Sequence, residues 1–383
     1  MSEFKCKICS CEDLELVAGY ERLPRVTSDC KPWPAGGTLM VCQKCGAVQK
    51  RPDAIWFDEI DRIYNAYQIY KLSSGSEQVI FDGSGNAQPR SNALVDFVLR
   101  EAKPLAAGAL IDIGCGNGAA LTNFSRALPG WSMHGTELSD APLEALRALP
   151  NFGGFYKEPP GKLTKRFDII TMIHALEHMP DPLETLVEAA QLLNPGGRMF
   201  VEIPNVETSI FDLLIADHMM HFSPAHLGYL AQRAGLDATI LRDDVLPKEI
   251  TMLASKGAGS RPLPDPKHGA ALVRKHVNWL LRLLETAREA AAESKSFGIF
   301  GTSISGMWLY GALKDHVAFF VDEDRTRVGN EFDGKPIFSP AEAPAGSTVF
   351  LPLHPQTAAS IDNRLRAEIQ AQFAKPPAMD AVA

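Results

Sequence analysis

Apolar residues recur at three- and four-residue steps in SNALVDFVLREA (91–102), run together in ALIDIG (109–114), and return to helical spacing in AALTNFSRAL (119–128). That pattern predicts helix, buried strand and helix, with the glycine turn GCGNG between strand and second helix. The alternation continues downstream. WSMHGTEL (131–138) and RFDIITMI (166–173) read as strands, PLETLVEAAQLL (182–193) as a helix, NPGG as a turn and RMFVEIPN (198–205) as a strand. Strands alternating with helices predict an α/β domain around a mostly parallel sheet.

A second unit of the same kind follows. GAGSRPLPDPKHG (257–269) reads as a Pro/Gly-rich linker. AALVRKHVNWLLRLLETAREAAAES (270–294) reads as a long packing helix. SFGIFGTSISGMWLYGAL (296–313) again gives strand, glycine turn and helix, with Gly301 and Gly306, and AFFVDEDRTRVGN (318–330) a second strand ending at Asp322. GKPIFSP and STVFLPL add weaker strand signals, and the tail AKPPAMDAVA reads as unstructured. Ahead of both units, LELVA (14–18) and TLMVC (38–42) are short strand signals within a cysteine-rich stretch. Tyr64, Tyr67 and Tyr70 recur at helical spacing, as packing residues or as a lid over the site.

With 383 residues, two or three domains are expected. The plan is a small N-terminal ribbon with its connecting segment (1–70), a central Rossmann-like domain (71–256), and a linker, helix and second Rossmann-like α/β domain (257–383). The net charge of −8 argues against a general nucleic-acid binder, which needs a lysine and arginine surplus, and favours a small-molecule substrate. No apolar run approaches the roughly 20 residues of a membrane helix, and MSEFKCKICS lacks the form of a signal peptide. A cytoplasmic monomer or homodimer is the expectation.

Six of the seven cysteines lie in the first 45 residues. Cys6 and Cys9 form C-K-I-C, and Cys42 and Cys45 form C-Q-K-C followed by Gly46. Two residues between cysteines let one tight turn aim both sulfurs at one ion, so two such pairs predict a structural Zn2+ site. Four thiolates leave no open coordination position for catalysis. Cys11 and Cys30 are spare.

The central glycine turn reads G-x-G-x-G rather than G-x-G-x-x-G, and no Lys-Ser/Thr pair follows it. Asp112 just before the turn would repel a pyrophosphate and suits a cationic or hydroxyl-bearing ligand. Glu137 closes the next strand, and its carboxylate can accept two hydrogen bonds from a diol. Two histidine clusters lie further on: His174, Glu177 and His178 in HALEHMPDP, and Asp217, His218, His221 and His226 in DHMMHFSPAHL. Imidazole beside carboxylate is acid–base equipment near neutral pH. Ser223 and Pro224 also read as the cap and first residue of a helix.

DIGCGNG, Glu137, EHMPDP and LLNPGGRMFVEIPN together resemble the class I S-adenosylmethionine-dependent methyltransferases over residues 90–255. The resemblance implies S-adenosylmethionine as cofactor, with Asp112, Gly114, Gly116, Asn117, Gly118 and His174 about the loop and its amino acid moiety, and Glu137 on the ribose. A cysteine knuckle, such a domain and a second Rossmann-like domain, in that order, resemble the nucleotide-deoxysugar C-methyltransferases. Their segment F-D-…-Y-x-E-H-x-x-Y/H-F-S is matched by Phe211, Asp212, Asp217, His218, Phe222 and Ser223, with Asp217 in place of Glu and Ile215 in place of Tyr. The resemblance implies a nucleotide-linked keto-sugar as acceptor, His178 or His218 as base, and Asp217 and His221 in the same machinery. It also implies that the C-terminal domain contributes to the sugar-nucleotide site.

Overall fold

The computed structural model describes residues 4–67, 79–81 and 87–379. Three sheets organise them, and their apolar faces merge into shared cores rather than three separate ones.

The central sheet has seven strands in the spatial order Phe152–Tyr156, Trp131–Thr136, Gly108–Ile113, Phe167–Ile173, Leu193–Pro204, Glu249–Lys256, Leu236–Arg242. The first five run parallel, and Glu249–Lys256 is antiparallel to both its neighbours. Gly108–Ile113 sits in the middle of the sheet. Leu110, Ile111 and Ile113 are buried on its two faces, as expected of an apolar run in a parallel sheet. The helices Arg90–Ala102 and Ala119–Ala127 cover one side, and Pro182–Gln191 and Pro224–Arg233 help to close the other. The NPGG turn lies inside the strand Leu193–Pro204 as a bulge: Phe167 pairs with Leu193, but Ile169 pairs with Arg198. This is the Rossmann-like α/β sheet expected in the middle of the chain.

The C-terminal sheet has six strands, ordered Glu331–Phe332, Lys335–Phe338, Val317–Val321, Phe297–Phe300, Thr348–Phe350, Gln372–Ala374. All pairs are parallel except the first. It is the second Rossmann-like unit. Its glycine turn carries Gly301 at φ +83°, and a Cβ on Gly306 would stand 1.9 Å from the Gly301 carbonyl oxygen.

The long helix spans Pro266–Glu293 and so begins inside the expected linker. Asp265 caps it by accepting from the Lys267 amide, with Pro266 at its first position, where a missing N–H costs nothing. Val273, Val277, Leu280, Leu284, Ala287 and Ala291 form its buried stripe. That stripe shares one core with Tyr20, Leu23 and Val41 of the N-terminal unit and with Trp308 and Leu309 of the C-terminal unit. The tail differs from expectation through residue 379. The buried Trp279 indole donates to the Pro377 carbonyl at 3.0 Å, and Met379 packs on the same core. Residues 380–383 lie outside the described residues, as does the 70/71 boundary.

The N-terminal ribbon is a four-stranded sheet, Leu14–Leu16, Leu39–Cys42, Val48–Lys50 and Met220–His221. Its fourth strand comes from the segment that carries the second histidine cluster. No described helix is long and apolar enough to cross a membrane.

Candidate active site

The strand Gly108–Ile113 ends in a loop held by its neighbour. The Gly114 and Cys115 amides donate to the Thr136 carbonyl at 3.0 and 2.9 Å. Gly114, Gly116 and Gly118 all have positive φ (74°, 56° and 81°), a conformation costly for other residues. Space demands glycine as well: a Cβ would stand 2.8 Å from Ala175 Cβ at Gly114, and 2.7 Å from a Leu146 methyl at Gly118. Glu137 accepts from the Gly116 amide at 3.0 Å and from the Leu138 amide at 2.7 Å. A carboxylate offers about four acceptor positions, which leaves two for a diol. Asn117 Oδ1 accepts from the Ala119 amide at 3.1 Å and so shapes the start of the following helix. Asp112 is buried and accepts from the Thr171 hydroxyl at 2.6 Å, tying the first parallel strand to the fourth beneath the loop. Burial pushes its carboxyl up to about 7.

Beside the loop lies a cluster of buried polar side chains at the strand ends, called the chamber below. His174 has φ +49°, and its ring stands between Glu177 (Nδ1 to Oε1, 3.2 Å) and Glu249 (Nε2 to Oε2, 3.3 Å). Arg90 faces the other Glu249 oxygen at 3.3 Å. Few of these groups are aligned for hydrogen bonds. Nε and Nη2 of Arg90, Nε2 of His174, both Glu177 oxygens, Oε1 of Glu202 and Oε2 of Glu249 are all buried without a hydrogen-bond partner among the described residues. Burial pushes Glu177 and Glu202 up to about 8 and Glu249 up to about 7, and holds His174 well below the ordinary imidazole value. Native interiors pair nearly all such atoms, so their concentration here marks a space for a polar ligand. Arg90 carried no signal in the sequence; it sits only at the start of the helix Arg90–Ala102.

The second cluster adjoins the first. Nδ1 of His178 lies 3.1 Å from the Asp217 carbonyl and 3.2 Å from the Tyr64 hydroxyl. A carbonyl only accepts, so Nδ1 carries the hydrogen. The Asp217 carboxylate accepts from the Ser28 amide at 2.9 Å and the Ser28 hydroxyl at 2.5 Å. Burial disfavours its charge, but His178, His218 and the Ser28 bonds outweigh burial and hold it below its ordinary value. Asp217 therefore meets His178 rather than its sequence neighbour. His218 and His221 both turn to Asp212, Nδ1 to Oδ1 and Nδ1 to Oδ2, each at 2.6 Å. The His178 and His218 rings meet edge to face with centroids 4.5 Å apart, and Glu177, His178 and His218 each bring one donor atom within 4.8 Å of the others. Burial and His218 lower His178 to about 4. His226 lies apart: Ser223 caps the helix Pro224–Arg233, and His226 Nε2 is 2.8 Å from the Cys45 carbonyl. Of the tyrosines, Tyr64 reaches His178, Tyr67 Oη stands 3.2 Å from the Ser28 hydroxyl, and Tyr70 lies outside the described residues. Asp212 had a sequence signal, its place in the F-D pair, but nothing in the spacing told which histidine it meets.

Cys6, Cys9, Cys42 and Cys45 place their four sulfurs within 4.8 Å of one another, with Cys6–Cys45 and Cys9–Cys42 both 3.6 Å. A tetrahedral Zn2+ with bonds of about 2.3 Å has edges of about 3.8 Å, so the thiols fit that ion. The two knuckles are built alike. The Ser10 amide donates to Cys6 O and the Gly46 amide to Cys42 O, each at 2.8 Å, with φ +61° and +72°. Gly46 was legible as a turn, whereas Ser10 adopts the same shape without glycine. Cys11 and Cys30 stand outside the tetrad.

In the C-terminal unit the corresponding loop is internally paired. The Thr302 amide and hydroxyl donate to Asp322 at 2.8 and 2.6 Å, and Arg327 stands 3.7 Å from Asp322 and 3.3 Å from Asp324.

Residues 87–240 match the family model described as a methyltransferase domain. Among curated proteins, the ubiquinone biosynthesis O-methyltransferase of Vibrio vulnificus (strain YJ016) is 27% identical over 140 residues, covering 34% of this chain and 59% of its own length. The protein of that name from Aromatoleum aromaticum is 31% identical over 140 residues, covering 34% and 58%. The chain thus spans under two thirds of the length of these relatives. A solved S-adenosylmethionine-dependent methyltransferase from Clostridium acetobutylicum ATCC 824 covers 53% of this chain and 98% of its own at 13% identity, with a TM-score of 0.38. The chain carries a methyltransferase domain of the class I α/β fold, and its N-terminal cysteine cluster is compatible with zinc.

Proposed function

We propose that the chain transfers a methyl group from S-adenosylmethionine to a carbon of a nucleotide-linked keto-deoxysugar. The observation that carries the reading is the juxtaposition of two features. One is an acid-flanked glycine loop of the methyl-donor type, and the other is a buried chamber of imidazoles and carboxylates with unpaired polar atoms. The bound cofactor supplies an electrophilic methyl on a positively charged sulfur. The residues of the chain do the rest. Glu137 holds the ribose hydroxyls, and the two free N–H groups of Arg90 suit the carboxylate of the methionine part. His178 or His218 removes a hydrogen next to the ketone, because carbon becomes nucleophilic only as an enolate. Glu177, kept protonated up to about pH 8 by burial, has a carboxyl oxygen within 4.8 Å of both rings and steadies the enolate oxygen. The four thiols hold Zn2+ as a structural ion and take no part in a step.

The reading is tested in two stages. Calorimetry with S-adenosylmethionine and its demethylated product should show binding of one equivalent, and absence of heat at millimolar ligand ends the proposal. Mass spectrometry with a panel of dTDP-linked keto-deoxysugars should then show a gain of one methyl, which product NMR should place on carbon. A methyl on oxygen would instead match the activity named for the Vibrio and Aromatoleum relatives.

A further inference from the structure

Asp212 lies in the short turn Ile210–Leu214, and its side chain and those of His218 and His221 are all 3% exposed or less. Its two oxygens take one imidazole each, and both rings offer Nδ1 at 2.6 Å. A carboxylate only accepts, so both rings carry hydrogen on Nδ1 and turn Nε2 outward. One negative charge faces two imidazoles whose centroids are 6.5 Å apart. It stabilises one imidazolium; a second would be repelled by the first in a site with little water.

The surroundings decide which ring takes the proton. His218 faces Glu177 from the turn Leu176–His178 and Asp217 from its own segment, with the His178 ring against it. His221 faces Lys50 from the strand Val48–Lys50. Burial alone lowers both rings. For His218 the Asp212 bond and the charges of Asp212 and Asp217 outweigh burial, so its proton affinity ends above the ordinary value. For His221 burial wins and holds it at about 4. Its Nε2 is then a buried lone pair without a partner.

We propose that Asp212 is the positioning residue that makes His218 the general base and keeps His221 as a neutral imidazole accepting a hydrogen bond from a hydroxyl of the acceptor. The proposal rests on the methyl-transfer reading and selects between the two candidate bases. In the step, the acceptor C–H bond breaks, its electron pair stays on carbon as the enolate, and the proton passes to Nε2 of His218. The enolate carbon then bonds to the methyl, the electron pair of the methyl–sulfur bond stays on sulfur, and His218 releases its proton to solvent after product leaves.

The test needs no acceptor at its first stage. The full-length, metal-loaded protein labelled with 15N-histidine is titrated by long-range 1H–15N NMR. His218 and His221 should both show the Nδ1–H tautomer, with His218 titrating above His221. Either ring found in its neutral form with hydrogen on Nε2 overturns the proposal with no variant required. In Asp212→Asn the amide nitrogen cannot accept, so one ring must change tautomer. His218 should also titrate about one unit lower or more, the scale of losing an adjacent opposite charge. An unchanged midpoint overturns the proposal. Calorimetry with S-adenosylmethionine shows that the variant is folded. At the second stage, with an acceptor that the wild type methylates, Asp212→Asn should lower kcat about 100-fold or more and shift the acidic limb of the pH profile downward. His221→Asn should mainly raise KM for the acceptor. A loss confined to KM in Asp212→Asn also overturns the proposal. Failure of the wild type to methylate any acceptor counts against the methyl-transfer reading and leaves the tautomer result standing.

Discussion

Arg90 pairs with Glu249 at 3.3 Å, but its buried Nε and Nη2 have no hydrogen-bond acceptor among the described residues. Leaving such donors unmet costs about 1–3 kcal/mol, so a ligand carboxylate placed there gains what the fold forgoes. Arg90→Gln should therefore weaken S-adenosylmethionine about tenfold or more, while 5′-methylthioadenosine, which lacks the amino acid part, should bind almost as before. Calorimetry with both ligands checks this, and equal losses for the two would show that Arg90 acts on the fold instead. Asp112 is a contrasting residue. Its Oδ1 accepts from Thr171, and that bond anchors the strand beneath the loop. Its importance was legible from its place before GCGNG, but its partner was not, because Thr171 lies 59 residues away on another strand.

At the scale of elements, the segment 205–222, which carries Asp212, Asp217, His218 and His221, is held largely by the N-terminal ribbon. Among the described residues, Met220–His221 pairs only with Val48–Lys50. The Lys50 amide and ammonium donate to the carbonyls of Met219 and Ile215 at 2.8 and 2.6 Å. Tyr20 donates to the Leu213 carbonyl at 3.0 Å, the Trp56 indole donates to Ala216 O at 3.3 Å, and Ser28 holds Asp217. Strand Val48–Lys50 begins three residues after Cys45, so the tetrad anchors the pairing. Cys42→Ser should lose bound zinc, lower Tm by at least about 5 °C, and raise hydrogen exchange of peptides within 213–222. Its affinity for S-adenosylmethionine should stay within a few-fold, because the donor loop is held by other strands. Metal analysis, calorimetry and exchange mass spectrometry separate these outcomes; a metal-free variant with wild-type exchange would remove the coupling. The cysteine spacing made the ribbon readable. The strand that completes it was hidden, since two residues carry no periodicity.

For the whole molecule, the buried titratable groups shape stability against pH. His178, His221, His134 and His276 sit near 4 in the folded chain against 6.5 when unfolded, so the unfolded chain binds more protons between those values. Stability therefore rises with pH across that window. Glu177, Glu202 and Glu249 sit at about 8, 8 and 7 against 4.5, so the folded chain binds more protons there and stability falls with rising pH from about 4.5 to 8. The histidine gain ends near 6.5, and above 7 the loss from two glutamates near 8 outweighs the opposing gain from Lys50, lowered by burial from 10.5 to about 7. The ligand-free protein should thus lose Tm between pH 7 and 8, and Glu177→Gln should flatten that loss. A thermal-shift series across pH 5–9 reads both slopes, and a wild-type Tm that climbs through pH 8 would refute the assignment.

The sequence by itself determined whatever depends on neighbours along the chain. That covers four strands of the central sheet with the helices beside its glycine loop, the long helix and the strand–turn–helix opening of the C-terminal unit, the positive-φ glycine loop with its flanking acids, and the paired cysteines, because periodicity, turn chemistry and ligand spacing act over a few residues. Only the tertiary structure decided which groups share the chamber. It brought Arg90, His174 and Glu249 together from three distant elements, gave His218 and His221 to Asp212 and His178 to Asp217, docked the tail on Trp279, and made Met220–His221 a strand of the ribbon. Those pairings are set by burial. Once the cores close, each polar group must take the partner that packing brings within reach, and sequence distance no longer ranks the choices.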